Sequence, residues 1–218
     1  MNAHNASGVT PAQSKTILKK LLRYYGDPVA DLHFDSLYQL CIAVVLSAQT
    51  TDKQVNAVTP KLFTKYHDFG ELAQADINDV ETIIKSTGFY HNKARNIIQL
   101  AETIMLKFNG TVPATLKELT SLPGVGRKSA NVILSMGFDI PAFAVDTHVL
   151  RIAKRIGYTA SDNPLDVEKA VTSTLDEKDW KNAHLILIRH GRVLCTARAP
   201  RCSDCPVNSL CGFADKTV

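Results

Sequence analysis

Lys128 stands in the stretch Leu122-Pro123-Gly124-Val125-Gly126-Arg127-Lys128-Ser129-Ala130, where a turn with one proline and two glycines opens into a helical pattern. The first amide N–H groups of such a helix have no partner inside it and can hold a phosphate oxygen. A cation in that first turn meets the partial positive charge of the helix end, and an amine that sheds its proton is a nucleophile. Lys128 therefore reads as a covalent nucleophile, or as a solvated phosphate contact at an ordinary helix-to-helix turn. Asp146, in Val145-Asp146-Thr147-His148, is a carboxylate able to stabilise developing positive charge or assist proton transfer. Capping the helix that follows is its simpler reading.

The second chemical constellation is Cys195-x6-Cys202-x2-Cys205-x5-Cys211. Zinc and a four-iron cluster both take four thiolates, and the loop lengths leave both open. Either would staple a tail too short to bury a core of its own. Around these cysteines the charge is uneven. From Lys181 to Ser203 there is no acidic residue, while Arg189, Arg192, Arg198, Arg201, His184 and His190 all fall in that interval. A metal-stiffened loop with Arg198 and Arg201 suits phosphate contacts, although a solvated basic face has the same composition.

The elements that must position these groups read as helices throughout. Thr10-Pro11 is a cap followed by proline at the first helical position, and Gly26-Asp27-Pro28 stops that helix. Asp35 or Ser36 caps Leu37 to Ser47, whose run Leu40 to Leu46 is apolar on nearly all sides and should be central and buried. Cys41, within it, should be a buried thiol. Asp52 or Thr51 caps Lys53 to Tyr66. Phe69 to Gln74 and Asp79 to Ser86 follow, the latter after Asp76 and Asn78. Phe89 and Tyr90 lie in a glycine-containing loop beside Lys93, where they either stack on bases or anchor the core. Helical patterns continue over Lys93 to Phe108, after Thr115, over Arg127 to Met136 with Ala130, Val132, Ile133 and Leu134 to bury, over Val149 to Ile156, after Asn163-Pro164, and over Asp179 to Leu194. With no β-period, the chain is all-α.

Composition sets wider bounds. The 218 residues are 45% hydrophobic, with a formal net charge of +4 that permits a nucleic-acid partner if the charge is localised. No apolar run reaches the length that spans a bilayer. Met1 to Thr10 lacks the apolar core of a signal peptide, and Met1 to Gly8 should be disordered. The clustered cysteines point to a metal rather than to secreted disulfides, so a soluble intracellular protein is expected.

Taken together, the Leu-Pro-Gly-Val-Gly-Arg-Lys hairpin, Val145-Asp146-Thr147-His148 and the cysteine spacing resemble the endonuclease III family of DNA glycosylases, from about Leu21 to Cys211. The resemblance implies a helix-hairpin-helix glycosylase fold of two helical lobes. Residues 30–140 would form a six-helix barrel lobe holding the hairpin, and residues 1–29 with 141–218 a discontinuous iron–sulfur lobe. It implies a bifunctional DNA N-glycosylase and abasic-site lyase of base excision repair, acting on oxidised pyrimidines in double-stranded DNA. Lys128 would be the nucleophile and Asp146 its carboxylate partner. Gln49 would enter the gap left by a flipped base. Phe89 occupies the second intercalating position, which in relatives is often Leu. Leu122, Gly124, Val125, Gly126, Arg127 and Ser129, the last often Thr in relatives, would face DNA with Arg198 and Arg201. Cys195, Cys202, Cys205 and Cys211 would hold a [4Fe-4S] cluster. The protein would act as a monomer in the cytoplasm, at the nucleoid if bacterial, with no membrane partner. Three alternatives stand beside this, one of them a mismatch-specific thymine glycosylase of the same family, in which the Lys can be replaced. An adenine glycosylase of the same superfamily typically lacks Lys at position 128 and carries an early catalytic Glu, whereas here the first Glu is Glu71. A non-catalytic helix-hairpin-helix protein would only hold DNA.

Overall fold

A computed structural model describes residues 8–217. The expectation of disorder at Met1 to Gly8 therefore falls, apart from Gly8, outside the described residues. Among these no residue lies in a β-strand, and no helix is long and apolar enough to cross a membrane. The helices are α1 (Pro11–Tyr25), α2 (Leu37–Leu46), α3 (Asp52–Lys65), α4 (Phe69–Ala73), α5 (Ile77–Ile84), α6 (Tyr90–Phe108), α7 (Leu116–Leu119), α8 (Arg127–Gly137), α9 (Thr147–Ile156), α10 (Pro164–Thr172) and α11 (Trp180–Val193). They fall into two compact units, residues 30–140 and residues 1–29 with 141–218.

Most helix starts are set by short polar side chains that accept from free backbone amides. Thr10 caps α1 with a reciprocal capping box to Gln13, and Ser36, Thr51, Asp68, Asp76, Thr115 and Asn163 cap α2, α3, α4, α5, α7 and α10. Asn78 is not a cap; it lies inside α5 and its amide donates to Asp76.

In the 30–140 unit α2 is the centre. Leu40, Ile42 and Leu46 are fully buried, each contributing about 1.5–3 kcal/mol by leaving water. Cys41 is buried with them, and burial pushes its thiol up to about 12. The α3, α6 and α8 helices pack against α2, and α4 and α5 pack on α6. One face of α8 differs from expectation. Val132 is only half-buried, and Asn131 and Ser135 take buried positions beside Ala130, Ile133 and Leu134.

In the other unit Ile17 and Leu21 of α1 share a core with Val149, Ile152 and Ala153 of α9, Val167 and Val171 of α10, and Ile186 of α11. Its last stretch, after α11, has no α-helix and only a short 3-10 turn at Asn208–Leu210. Four cysteines lie in and around it.

Candidate functional site

Gly124 has φ +76, and a Cβ there would sit 3.0 Å from Val45 Cγ1 and 3.1 Å from Asn96 Cβ. Glycine is therefore required twice, by conformation and by the close seat of the hairpin on α2 and α6. Gly126 differs. Its φ is −87, and a Cβ would meet nothing within 4 Å. Neither backbone nor neighbours demand glycine there, and the missing side chain leaves room beside the first amides of α8. Those amides receive no side-chain cap, in contrast to most helix starts in the chain. Lys128, in that first turn, is exposed, as is Arg127, while Ser129 is half-buried. Leu122 and Val125 belong to the core at 3% and 5% exposure, so only their main chain could face a ligand.

Asp146 is the N-cap of α9, its Oδ1 accepting from the Val149 amide at 2.8 Å. The simpler reading of this residue thus holds. The cap also fixes the carboxylate's orientation, and it engages one of two oxygens.

Gln49 and Phe89 are both exposed, and both have left-handed backbones, with φ 53 and 49. Phe89 is 67% exposed, which removes the core-anchor reading. Helix α6 begins at Tyr90, earlier than the expected Lys93, and Lys93 is buried in its first turn. It is therefore not a surface cation beside the aromatics.

The four cysteines Cys195, Cys202, Cys205 and Cys211 line one recess together with Ile152, Ile156, Leu194 and Val207. Two arginines of α9, one turn apart, hold the chain around it, and Arg155 also lines it. Arg151 donates to the carbonyls of Gly191 and Cys195, both at 2.9 Å. Arg155 donates to the carbonyls of Thr196 at 2.7 Å and Ala197 at 2.9 Å, and its Nη1 lies 3.3 Å from Cys195 Sγ. Their spacing of four is the one sequence signal for the pair, since it puts both guanidiniums on the same side of α9. On the other side His190 Nε2 lies 3.7 Å from Cys205 Sγ, and its Nδ1 lies 2.9 Å from the Tyr25 hydroxyl. A thiolate only accepts hydrogen bonds. Nε2 then carries the imidazole proton, and Nδ1 accepts from Tyr25.

Burial pushes the thiols of Cys205 and Cys211 up, so their deprotonated forms need a positive centre. Zinc draws all its donors to within about 2.3 Å of one point, whereas a cluster spreads its thiolates over several irons. The N–H donors beside the sulfurs of Cys195 and Cys205 suit thiolates that bind a metal centre.

Arg189, Arg192, Arg198 and Arg201 are all exposed, whereas the two histidines of the same interval do not join that face. His184 and His190 are buried. Arg201 donates to the Val193 carbonyl and pairs with Asp204 at 3.8 Å. Arg198 is exposed on the loop between the first two cysteines.

Residues 42–177 match the family model of the HhH-GPD superfamily of base excision DNA repair proteins, and residues 195–211 match that of the iron–sulfur binding domain of endonuclease III. The endonuclease III of Synechocystis sp. is 43% identical over 199 residues, which is 91% of this chain and 90% of that protein. The Bacillus subtilis endonuclease III is 42% identical, covering 94% of each chain. The chain belongs to the endonuclease III family. A solved structure of a trapped endonuclease III–DNA covalent intermediate is 42% identical, with a TM-score of 0.88 over 93% of this chain and 95% of that one. As a member of the endonuclease III family, the protein is a DNA glycosylase and abasic-site lyase of base excision repair, and it carries a [4Fe-4S] cluster.

Proposed function

We propose that the protein removes oxidised pyrimidines from duplex DNA and cuts the strand 3′ to the resulting abasic site, with Lys128 as nucleophile. The observation that carries this is an exposed lysine in the first turn of α8, directly behind N-terminal amides that no side chain caps. A phosphate held by those amides and approached across the open side of Gly126 would bring the sugar of the same nucleotide toward the lysine. The damaged base must first leave the stack, because C1′ is out of reach inside the duplex. The neutral amine of Lys128 then forms a bond to C1′ as the glycosidic bond breaks and the base departs with that electron pair. Opening of the sugar ring gives an imine. Loss of a C2′ proton then expels the 3′ phosphate by β-elimination. Asp146, oriented by its bond to Val149, faces positive charge on the sugar and relays protons. The covalent capture of a 42% identical endonuclease III on DNA supports the imine step.

Gln49 and Phe89 fill the gap left by the extruded base, and Arg127, Ser129, Arg198 and the main chain from Leu122 to Gly126 hold phosphates, with Arg201 a lesser contact because it is already engaged. The ligands of the [4Fe-4S] cluster are Cys195, Cys202, Cys205 and Cys211. When bound, the cluster supplies the positive centre that fastens the tail, and with it Arg198. The protein works as a monomer in the cytoplasm, at the nucleoid.

The test is trapping with borohydride, which reduces an imine to a permanent protein–DNA crosslink. Duplexes with thymine glycol or an abasic site should crosslink to the wild type and not to Lys128→Ala. Adenine release opposite oxidised guanine without a crosslink would move the protein to the adenine branch. Binding without chemistry on every duplex would leave a DNA-holding module.

A further inference from the structure

Gln49 and Phe89 share an unusual backbone state. A left-handed φ is costly for any residue with a side chain, and most so for a bulky one such as phenylalanine. Such conformations persist only where the surroundings over-determine them. Nothing about the exposed side chains themselves supplies that restraint. Beneath them lies Lys93, 4% exposed in the first turn of α6. Its Nζ donates to the Thr87 carbonyl at 2.8 Å and to Thr50 Oγ1. Thr50 Oγ1 in turn donates to the same Thr87 carbonyl at 2.5 Å. The Lys93 amide donates to the Phe89 carbonyl at 3.1 Å. Thr50 follows Gln49, and Thr87 precedes Phe89 by two positions. One buried ammonium thus ties together the two loops that carry the two strained, exposed side chains.

Burying a lysine is expensive. Burial holds its ammonium below the ordinary lysine range, and its Nζ is met by a hydroxyl and a carbonyl rather than by a carboxylate. A polar device of this kind, inside an otherwise apolar helix face that Ala94 and Ile97 continue, has a simple apolar alternative that would stabilise the core more cheaply. The hydrogen bonds it makes all go to the two loops.

We propose that Lys93 is the positioning residue for base extrusion, clamping the Gln49 and Phe89 loops so that both side chains enter the duplex as one unit. This rests on the reading, given above, that Gln49 and Phe89 fill the gap.

The experiment uses a duplex with thymine glycol and 2-aminopurine beside it, whose fluorescence rises on unstacking. Full-length wild type is compared with Lys93→Met, Thr50→Val, Gln49→Ala/Phe89→Ala, and the last combined with Lys93→Met. Misplacing the two side chains by about an ångström should slow single-turnover base release by roughly tenfold or more in Lys93→Met and depress its fluorescence rise. Thr50→Val keeps the lysine bonded to Thr87 but cuts the link to the other loop. It should shift both readouts the same way, and it decides the matter if Lys93→Met does not fold. On the Gln49→Ala/Phe89→Ala background, Lys93→Met should change base release by less than about twofold, because its effect runs through residues already removed. Equal losses on both backgrounds with an unchanged fluorescence rise would overturn the clamp and leave Lys93 as ordinary support for the fold. If Gln49→Ala/Phe89→Ala itself leaves fluorescence and release at wild-type levels, the gap-filling reading falls, and the clamp falls with it.

Discussion

Two glycines two positions apart carry different obligations. Gly124→Ala must hold an alanine at φ +76 against Val45 and Asn96, so it should lower stability by about 1–3 kcal/mol, read as a shift of the denaturant midpoint. Gly126→Ala meets open space at an ordinary φ, so it should cost only about 1 kcal/mol, the usual preference for glycine over alanine at an N-cap, while affinity for duplex DNA falls. Asp146 allows a similar separation. Asparagine caps a helix nearly as well as aspartate, whereas alanine costs about 0.5–2 kcal/mol. Asp146→Asn should therefore melt like the wild type yet lose about a hundredfold or more in base release, measured in single turnover. If Asp146→Asn keeps its full rate, the carboxylate is a cap alone. The sequence motif carried both readings of this residue, and the cap became visible only once the Val149 amide was seen on its Oδ1.

At the scale of elements, α9 does more than its local pattern announces. Val149, Ile152, Ala153 and Ile156 bury one side of it, and Arg151 and Arg155 on another side fasten the loop that begins at Cys195. The guanidinium of Arg155 reaches two carbonyls and a sulfur, and it also covers the Phe213 ring at 4.5 Å. Lysine has neither the fork nor the planar face. Arg155→Lys should accelerate loss of the cluster's visible absorbance in the presence of a chelator by about tenfold, in line with the usual effect of a partner that orients metal ligands. An unchanged rate would assign Arg155 to the loop backbone only. Helix α6 teaches a related lesson. Its start was expected at Lys93 because Phe89 and Tyr90 read as loop aromatics, but the helix opens at Tyr90 and turns Lys93 inward.

For the whole molecule, the two units differ in what holds them. Residues 30–140 close around apolar α2, while the segment after α11 is held by a few main-chain bonds, the two α9 arginines and its cysteines. Oxidising the cluster and chelating its iron should open residues 195–217 to proteolysis within the time that residues 30–140 remain uncut, as followed by mass analysis of the fragments. Simultaneous loss of both units would show that the cluster sustains the entire fold. The tail also presents Arg198, so the same treatment should weaken duplex binding before it alters the helical signal of the rest.

Local chemistry made most of the helices legible. A cap such as Thr10 or Ser36, a proline at the first position, and a stop such as Gly26 act over a few residues, so their effect can be read without knowing what surrounds them. The same holds for the hairpin glycines and the cysteine spacing, whose types and intervals limit the chemistry. What a side chain faces is a different matter, because it depends on elements distant in the chain. The burial of Lys93 between loops from positions 50 and 87, the inward turn of His184 and His190, and the grip of Arg151 and Arg155 on the cysteine loop all arise from such packing. Charge and hydropathy alone would have put each of these residues at the surface. Only the tertiary structure supplies the carbonyls, hydroxyls and sulfurs that make their burial affordable.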